Sequence, residues 1–149
     1  MFRTAVLLVA AGLGALGIIA WTSSAQTGPA LIRITSTQTR YVRVDVGRGS
    51  TGDVEIIRQS LFNRKITQKP IGRSEIECTI TFGRARVCRG TYFLASGKLV
   101  VGGSISNRDI YELAITGGTG LYNNARGTFT AIRTAKGPRR EFLIFRLAG

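Results

Sequence analysis

The residues that could carry chemistry are few. The 149-residue chain contains no histidine, which removes a Ser-His-Asp triad, a Cys-His pair and any histidine-ligated metal. Two cysteines, Cys78 and Cys88, flank the segment TITFGRARV. Two thiolates alone make a poor zinc site, so neither a metal nor another cofactor is expected. The acids best placed for general acid–base work are Asp45 in RVDVG and Glu112 in IYELA, with Arg126 as the cation that could stabilise developing charge. Tyr92, Tyr122 and Arg126 could line a ligand pocket. Each has a plainer reading. Asp45 could be a solvated carboxylate, Glu112 an external ion-pair partner, Arg126 a brace on loop carbonyls, and Tyr92 core packing. Glu75 and Glu77 lie two apart with no facing acid, so they do not make an acid/base pair.

Something must position these side chains, and the pattern names strands. From residue 26 onward helical periodicity is absent. Short alternating or doubly apolar runs rich in Val, Ile, Thr, Phe and Tyr are separated by Gly, Asn, Asp, Ser or Pro. Eight runs are expected to be strands: one within 31–46, then 54–62, 74–82, 86–94, 98–106, 110–116, 126–134 and 140–147. Their links are short, which suits antiparallel neighbours. Eight such strands with no cover for two edges imply an all-β, closed up-and-down barrel, with a two-sheet sandwich as the alternative. Gly90, Gly102 and Gly103 are expected to kink strands for closure. A turn at the FGR tip would set Cys78 opposite Cys88, and in an exported protein a disulfide is the expected outcome. FLIF, residues 142–145, is apolar on both faces. Its outer stripe therefore needs cover, either from a second subunit or from residues 26–38.

One glycine-rich stretch, ITGGTGLYNNARG at 115–127, looks at first like a phosphate loop. It lacks the Lys-Ser/Thr ending of a P-loop and the final glycine of a dinucleotide loop, and no helix comes after it. A wide turn between strands is expected instead. Gly117, Gly118 and Gly120 would take backbone angles closed to other residues, and Asn123 and Asn124 would tolerate left-handed geometry.

Together with the next strand, this stretch resembles the signature of dirigent proteins, whose fold is shared with allene oxide cyclases. KPIGRSEI at 69–76 and GKLVVGGSI at 97–105 are similar to flanking segments of that family, and the resemblance covers roughly residues 54–147. It implies an eight-stranded barrel, commonly trimeric, with a pocket for an apolar or phenolic ligand. Asp45 matches the family's first-strand cavity aspartate, and Arg126 is the arginine of its A-R-G signature. The family's third-strand tyrosine falls near Cys78 here, and the acid some members carry after G-T-G is Leu121.

Residues 1–25 read as an export signal: Arg3, then an apolar run over 4–21, then the small residues Ser23–Ala25. An uncleaved membrane anchor is the other reading. The net charge is +13, and the basic residues are scattered with no block of five. That composition favours anionic surfaces such as an envelope polymer, and it provides no specific nucleic-acid site. Three functions stay open. One is an exported barrel binding a small hydrophobic or phenolic ligand and steering its reaction. Another is a cyclase or isomerase using Asp45 or Glu112 with Arg126. The third is a basic envelope protein whose barrel is packed solid.

Overall fold

A computed structural model describes residues 30–47, 51–63, 69–83 and 85–148. The expected leader lies outside these residues. The eight strands are β1 (Leu31–Val44), β2 (Val54–Phe62), β3 (Gly72–Ile80), β4 (Arg86–Leu94), β5 (Gly97–Ile105), β6 (Ile110–Gly120), β7 (Arg126–Lys136) and β8 (Arg139–Ala148). Each pairs antiparallel with its sequence neighbours, and β8 pairs back onto β1, so the sheet closes as a barrel. The sandwich alternative is thereby excluded. Closure removes both sheet edges, and among the described residues no helix is present to cover them.

Alternation decides which residues point inward. On β4, Cys88, Gly90 and Tyr92 are buried while Val87 and Arg89 are exposed. Cys78 sits directly opposite Cys88 in the β3–β4 ladder, and the two form a disulfide facing the interior. Such a short closed loop contributes about 2–3 kcal/mol by restricting the unfolded chain. Gly90 is buried opposite Ile76, where an added Cβ would meet the Ile76 side chain at 3.0 Å.

Register shifts occur on β1 between Gln38 and Arg40, between β5 and β6 next to Val100, and on β7 between Arg133 and Ala135. The residues left out of the ladder are Thr39, Thr116 and Thr134. The expected sites at Gly90, Gly102 and Gly103 are not bulges. They lie within the continuous β4–β5 ladder, and Gly103, beyond the last β5–β6 pair, alone of the three has a positive φ, 154°. The bulge on β1 reverses the facing of the strand beyond it. Ile34 and Ser36 point inward before it; after it Tyr41 and Arg43 do so, while Val42 and Val44 stand on the outside.

The glycine-rich stretch also differs from expectation. Most of it is strand rather than turn: Gly117–Gly120 pair with Gly97–Val100 of β5. The turn proper is 121–125, closed by Asn123 N–H to Gly120 O and Ala125 N–H to Tyr122 O. Within the stretch Gly120 (φ 64°), Asn124 (φ 59°) and Gly127 (φ 137°) have positive φ, while Gly117 and Gly118 do not. Gly118 is required for a different reason. A Cβ there would overlap the Tyr122 carbonyl and come within 2.8 Å of the Lys98 carbonyl.

The interior is packed solid at mid-height. Tyr92, Phe129 and Phe145 are fully buried and meet with ring centroids 4.9–5.1 Å apart. Leu61, Leu99, Ile115 and Leu143 pack around them. Each aromatic pair contributes about 0.5–1.5 kcal/mol beyond its buried area.

Candidate functional site

Because all neighbours are antiparallel, odd strands end and even strands begin at one rim. That rim carries the ends of β1, β3, β5 and β7 and the starts of β2, β4, β6 and β8. The opposite rim carries the glycine-rich turn and the N-terminal end of β1. The two rims differ sharply in chemistry.

At the first rim the interior turns polar. Glu55 on β2 is 1% exposed. It accepts hydrogen bonds from Arg86 Nε (2.9 Å), Arg108 Nη2 (2.9 Å) and the Tyr41 hydroxyl (2.8 Å). Glu141 on β8 is equally buried and accepts from Arg139 Nε (2.7 Å) and Gln59 Nε2 (2.7 Å); Gln59 Oε1 in turn accepts from Ser74 Oγ (3.0 Å). Buried carboxylates survive only with such partners. The Arg108 carbonyl accepts from Arg139 (2.7 Å), which ties the β5–β6 loop to β8. Beside it, Asp53 is buried, accepting from the Val46 N–H (3.0 Å) and from Arg43. Those bonds, the backbone one first, hold its carboxyl below the usual range.

Two spaces open here. An open cleft of about 630 Å³ lies on the rim, lined by Arg86, Ser106, Asn107, Arg108, Asp109 and Arg133. Beneath it a narrow slot of about 20 Å³, room for about one water, runs between Glu55, Tyr111, Ile105 and the disulfide down to Tyr92. Tyr92 is fully buried, and its hydroxyl has no hydrogen-bond partner among the described residues. Burial raises the phenol pKa values of Tyr92 and Tyr111; Tyr111 is raised further by the Glu141 charge, and Tyr41 by burial and its bond to Glu55. All three stay protonated donors at neutral pH. Among the described residues no group of three Cys, Asp or Glu side chains could hold a metal ion.

The residues singled out from sequence are not gathered in one place. Asp45 lies just past β1 at the polar rim, largely exposed and paired with Arg43 (2.9 Å). Glu112 faces outward on β6, opposite Thr130. Arg126 stands at the opposite rim, where its Nη1 donates to the carbonyls of Thr116 (2.8 Å) and Ala125 (2.9 Å). Tyr122 is buried at that same rim and borders an open apolar cleft of about 330 Å³ with Leu31, Ile34, Ile71 and Leu94. Of the proposed catalytic and ligand-binding residues Tyr92 alone reaches the slot, beside the Cys78–Cys88 disulfide. The barrel height separates Arg126 from Asp45, and the sheet separates Glu112 from the interior, so the three cannot act on one ligand. Glu75 and Glu77 are partnered by external arginines, Arg58 and Arg89 respectively. The rim residues that sequence reasoning passed over are Glu55, Gln59, Arg86, Arg108, Tyr111, Arg139 and Glu141. The available signal was polar residues sitting at inward positions of strands: Glu55 and Gln59 alternate with Ile57.

No protein-family model matches the chain, and no curated protein matches it in sequence. Solved structures do match. A pyocyanin demethylase superposes with a TM-score of 0.67 at 22% identity, over 79% of this chain and 99% of the other. A pterocarpan synthase dirigent protein gives 0.65 at 18% identity, over 77% of this chain and 84% of its own. The chain has the dirigent-type barrel fold. An exo-specific intermolecular Diels-Alderase is also similar, at 0.62 and 15% identity, over 76% of this chain and 96% of the other. At these identities the likeness is one of fold.

Proposed function

We propose that this exported dirigent-type barrel binds a small aromatic or phenolic ligand at the polar rim and steers the geometry of its reaction. One observation carries the reading: two guanidinium groups, Arg86 and Arg108, are held by a single buried carboxylate above a slot whose floor is the unpartnered Tyr92 hydroxyl. Guanidinium planes accept aromatic faces and acidic oxygens alike. The slot is too small for a whole ligand, so the ring lies in the rim cleft. Only a narrow group, such as a carbonyl or hydroxyl, enters toward Tyr111 and Tyr92. Protonated phenols and fixed cations aimed at one oxygen favour whichever conformer puts its developing negative charge there. The names of the solved relatives, a demethylase, a dirigent protein and a Diels-Alderase, support a barrel that handles small cyclic molecules.

The reading includes a cleaved leader and homo-oligomeric assembly as a trimer. Val42, Val44, Ile56 and Val87 are exposed on the barrel exterior, and Phe142 and Ile144 of β8 are half-buried there. An outer apolar surface of this kind is met most simply by identical subunits.

Calorimetric titration with 4-hydroxycinnamate and with neutral 1-naphthol tests the ligand reading. Saturable binding of both is expected. Arg108→Ala should weaken the carboxylate about tenfold while changing naphthol less. Absence of saturable binding by either compound would overturn it.

A further inference from the structure

The chain has eight acidic residues, and the fold sends them to one side. Asp45, Asp53, Glu55, Asp109 and Glu141 belong to the polar rim. Glu77 and Glu112 lie on that half of the exterior, and Glu75 sits near mid-height. The rim with the glycine-rich turn receives none. It receives Arg33, Lys69, Arg73, Lys98, Arg126 and Arg146, all exposed. Arg73 and Lys98 both lie over the Phe93 ring, 4.3 and 5.3 Å from its centroid, with Glu75, 4.0 Å from Arg73, as the nearest acid. The ring holds two positive charges side by side with a single acid near them, a local excess that attracts anions.

Two further observations fix what kind of polyanion. First, this rim is apolar as well as basic. Leu31 and Leu121 are exposed at its tips, and the open cleft lined by Leu31, Ile32, Ile71 and Leu94 is here. Duplex phosphate backbones and acidic sugar polymers offer little to such aliphatic side chains, whereas the headgroup and upper acyl region of a bilayer accepts both cations and leucines. Second, the polypeptide enters the barrel at this rim. Residue 30 precedes β1, and the 4–21 apolar run is joined to it by a short link. On the reading of that run as an export signal, this end is the one next to a membrane for as long as the run is attached.

We propose that the glycine-turn rim is a docking surface for an anionic phospholipid bilayer, which leaves the polar rim and its cleft facing away from the membrane. The ligand site and the membrane face then occupy opposite ends of one rigid barrel. Each basic residue at an anionic surface contributes about fivefold to binding, and the effect is screened by salt.

The test uses residues 26–149, which hold all eight strands of the closed ring. Co-sedimentation is measured with phosphatidylcholine vesicles containing about a third phosphatidylglycerol, against pure phosphatidylcholine. Binding to the anionic vesicles alone, lost at high salt, is expected. Arg33→Glu, Lys69→Glu and Lys98→Glu together should weaken it about 100-fold or more. The matched variant Arg40→Glu, Arg89→Glu and Lys136→Glu, on the other half of the barrel, makes the same change in net charge and should weaken it far less. Circular dichroism and thermal melts check that both variants are folded. Equal losses in the two variants would mean that only net charge matters and would overturn the proposal. No binding to anionic vesicles would overturn it as well, as would binding to heparin or polyphosphate without binding to vesicles.

Discussion

The two rims of this barrel are built from the same eight strands and solve opposite problems. At the glycine-turn rim the backbone closes on itself. Gly118 lets the Tyr122 and Lys98 carbonyls approach, Gly120 and Asn124 supply left-handed corners, and Arg126 ties two carbonyls together. At the polar rim the side chains hold the structure. Glu55, Asp53 and Glu141 each bind an arginine, and the loops hang from those pairs. A rim closed by backbone offers its ligands only the exterior and leaves no buried side-chain partner to exchange. A rim closed by charged side chains over a slot can trade one of its partners for a ligand atom. The glycine motif, the most recognisable feature of the sequence, therefore marks the structural end, and the candidate site is at the other.

The largest expected effect breaks the polar rim. Glu55→Ala leaves Arg86, Arg108 and the Tyr41 hydroxyl without the buried carboxylate they share. It should destabilise the barrel by about 3–5 kcal/mol in urea unfolding. The outward-facing Glu112→Ala should stay within about 0.5 kcal/mol. Similar losses in the two variants would mean that the rim network is not what holds that end.

Next in size is the backbone end. Gly118→Ala must displace the Tyr122 and Lys98 carbonyls, at a cost of about 1–3 kcal/mol. Ligand binding at the polar rim should be unchanged where the variant is folded. A variant that melts normally but loses ligand would place the site at the wrong rim.

The smallest effect is read by pH. The chain has four tyrosines, and in the folded state Tyr41, Tyr92, Tyr111 and Tyr122 all have raised phenol pKa values, with burial the first cause for each. A folded pKa above the unfolded value of about 10 contributes stability that is fully present below pH 10. That stability is lost as pH rises through the folded value. Tyrosinate absorbance should therefore remain low past pH 10 and then rise together with unfolding, whereas in denaturant it should track an ordinary phenol curve. A folded protein in which Tyr92 or Tyr111, identified by Tyr→Phe variants, titrates near pH 10 would show an open slot.

Strand identity was legible because it is a local property. Val54–Phe62 and Arg86–Leu94 end where their patterns end, and the Cys78–Cys88 pairing comes from a short hairpin with period-two alternation. Position 126 was legible as a motif, since A-R-G opens a strand. Its task was not, because donation to the Thr116 and Ala125 carbonyls depends on where two other segments arrive. Glu55 and Glu141 were missed for the same reason. In sequence each is one acid among strand residues, 86 positions apart. They become parts of one rim only when β8 closes onto β1.

The bulge near Thr39 shows where the division falls. Tyr41, Arg43 and Asp45 alternate with Val42, Val44 and Val46 whatever the fold, so the sequence by itself settled that the two sets lie on opposite faces. It also settled the number and order of the strands, though not the reach of β6 to Gly120, and with them the disulfide pair and the excess of positive charge. Which face turns inward was decided by one unpaired residue that shifts the register against β2. Which end receives the acids, and which end meets them with arginines, was decided by the direction and closure of all eight strands. Periodicity is written in neighbours along the chain, whereas burial and charge partnership belong to residues brought together across it.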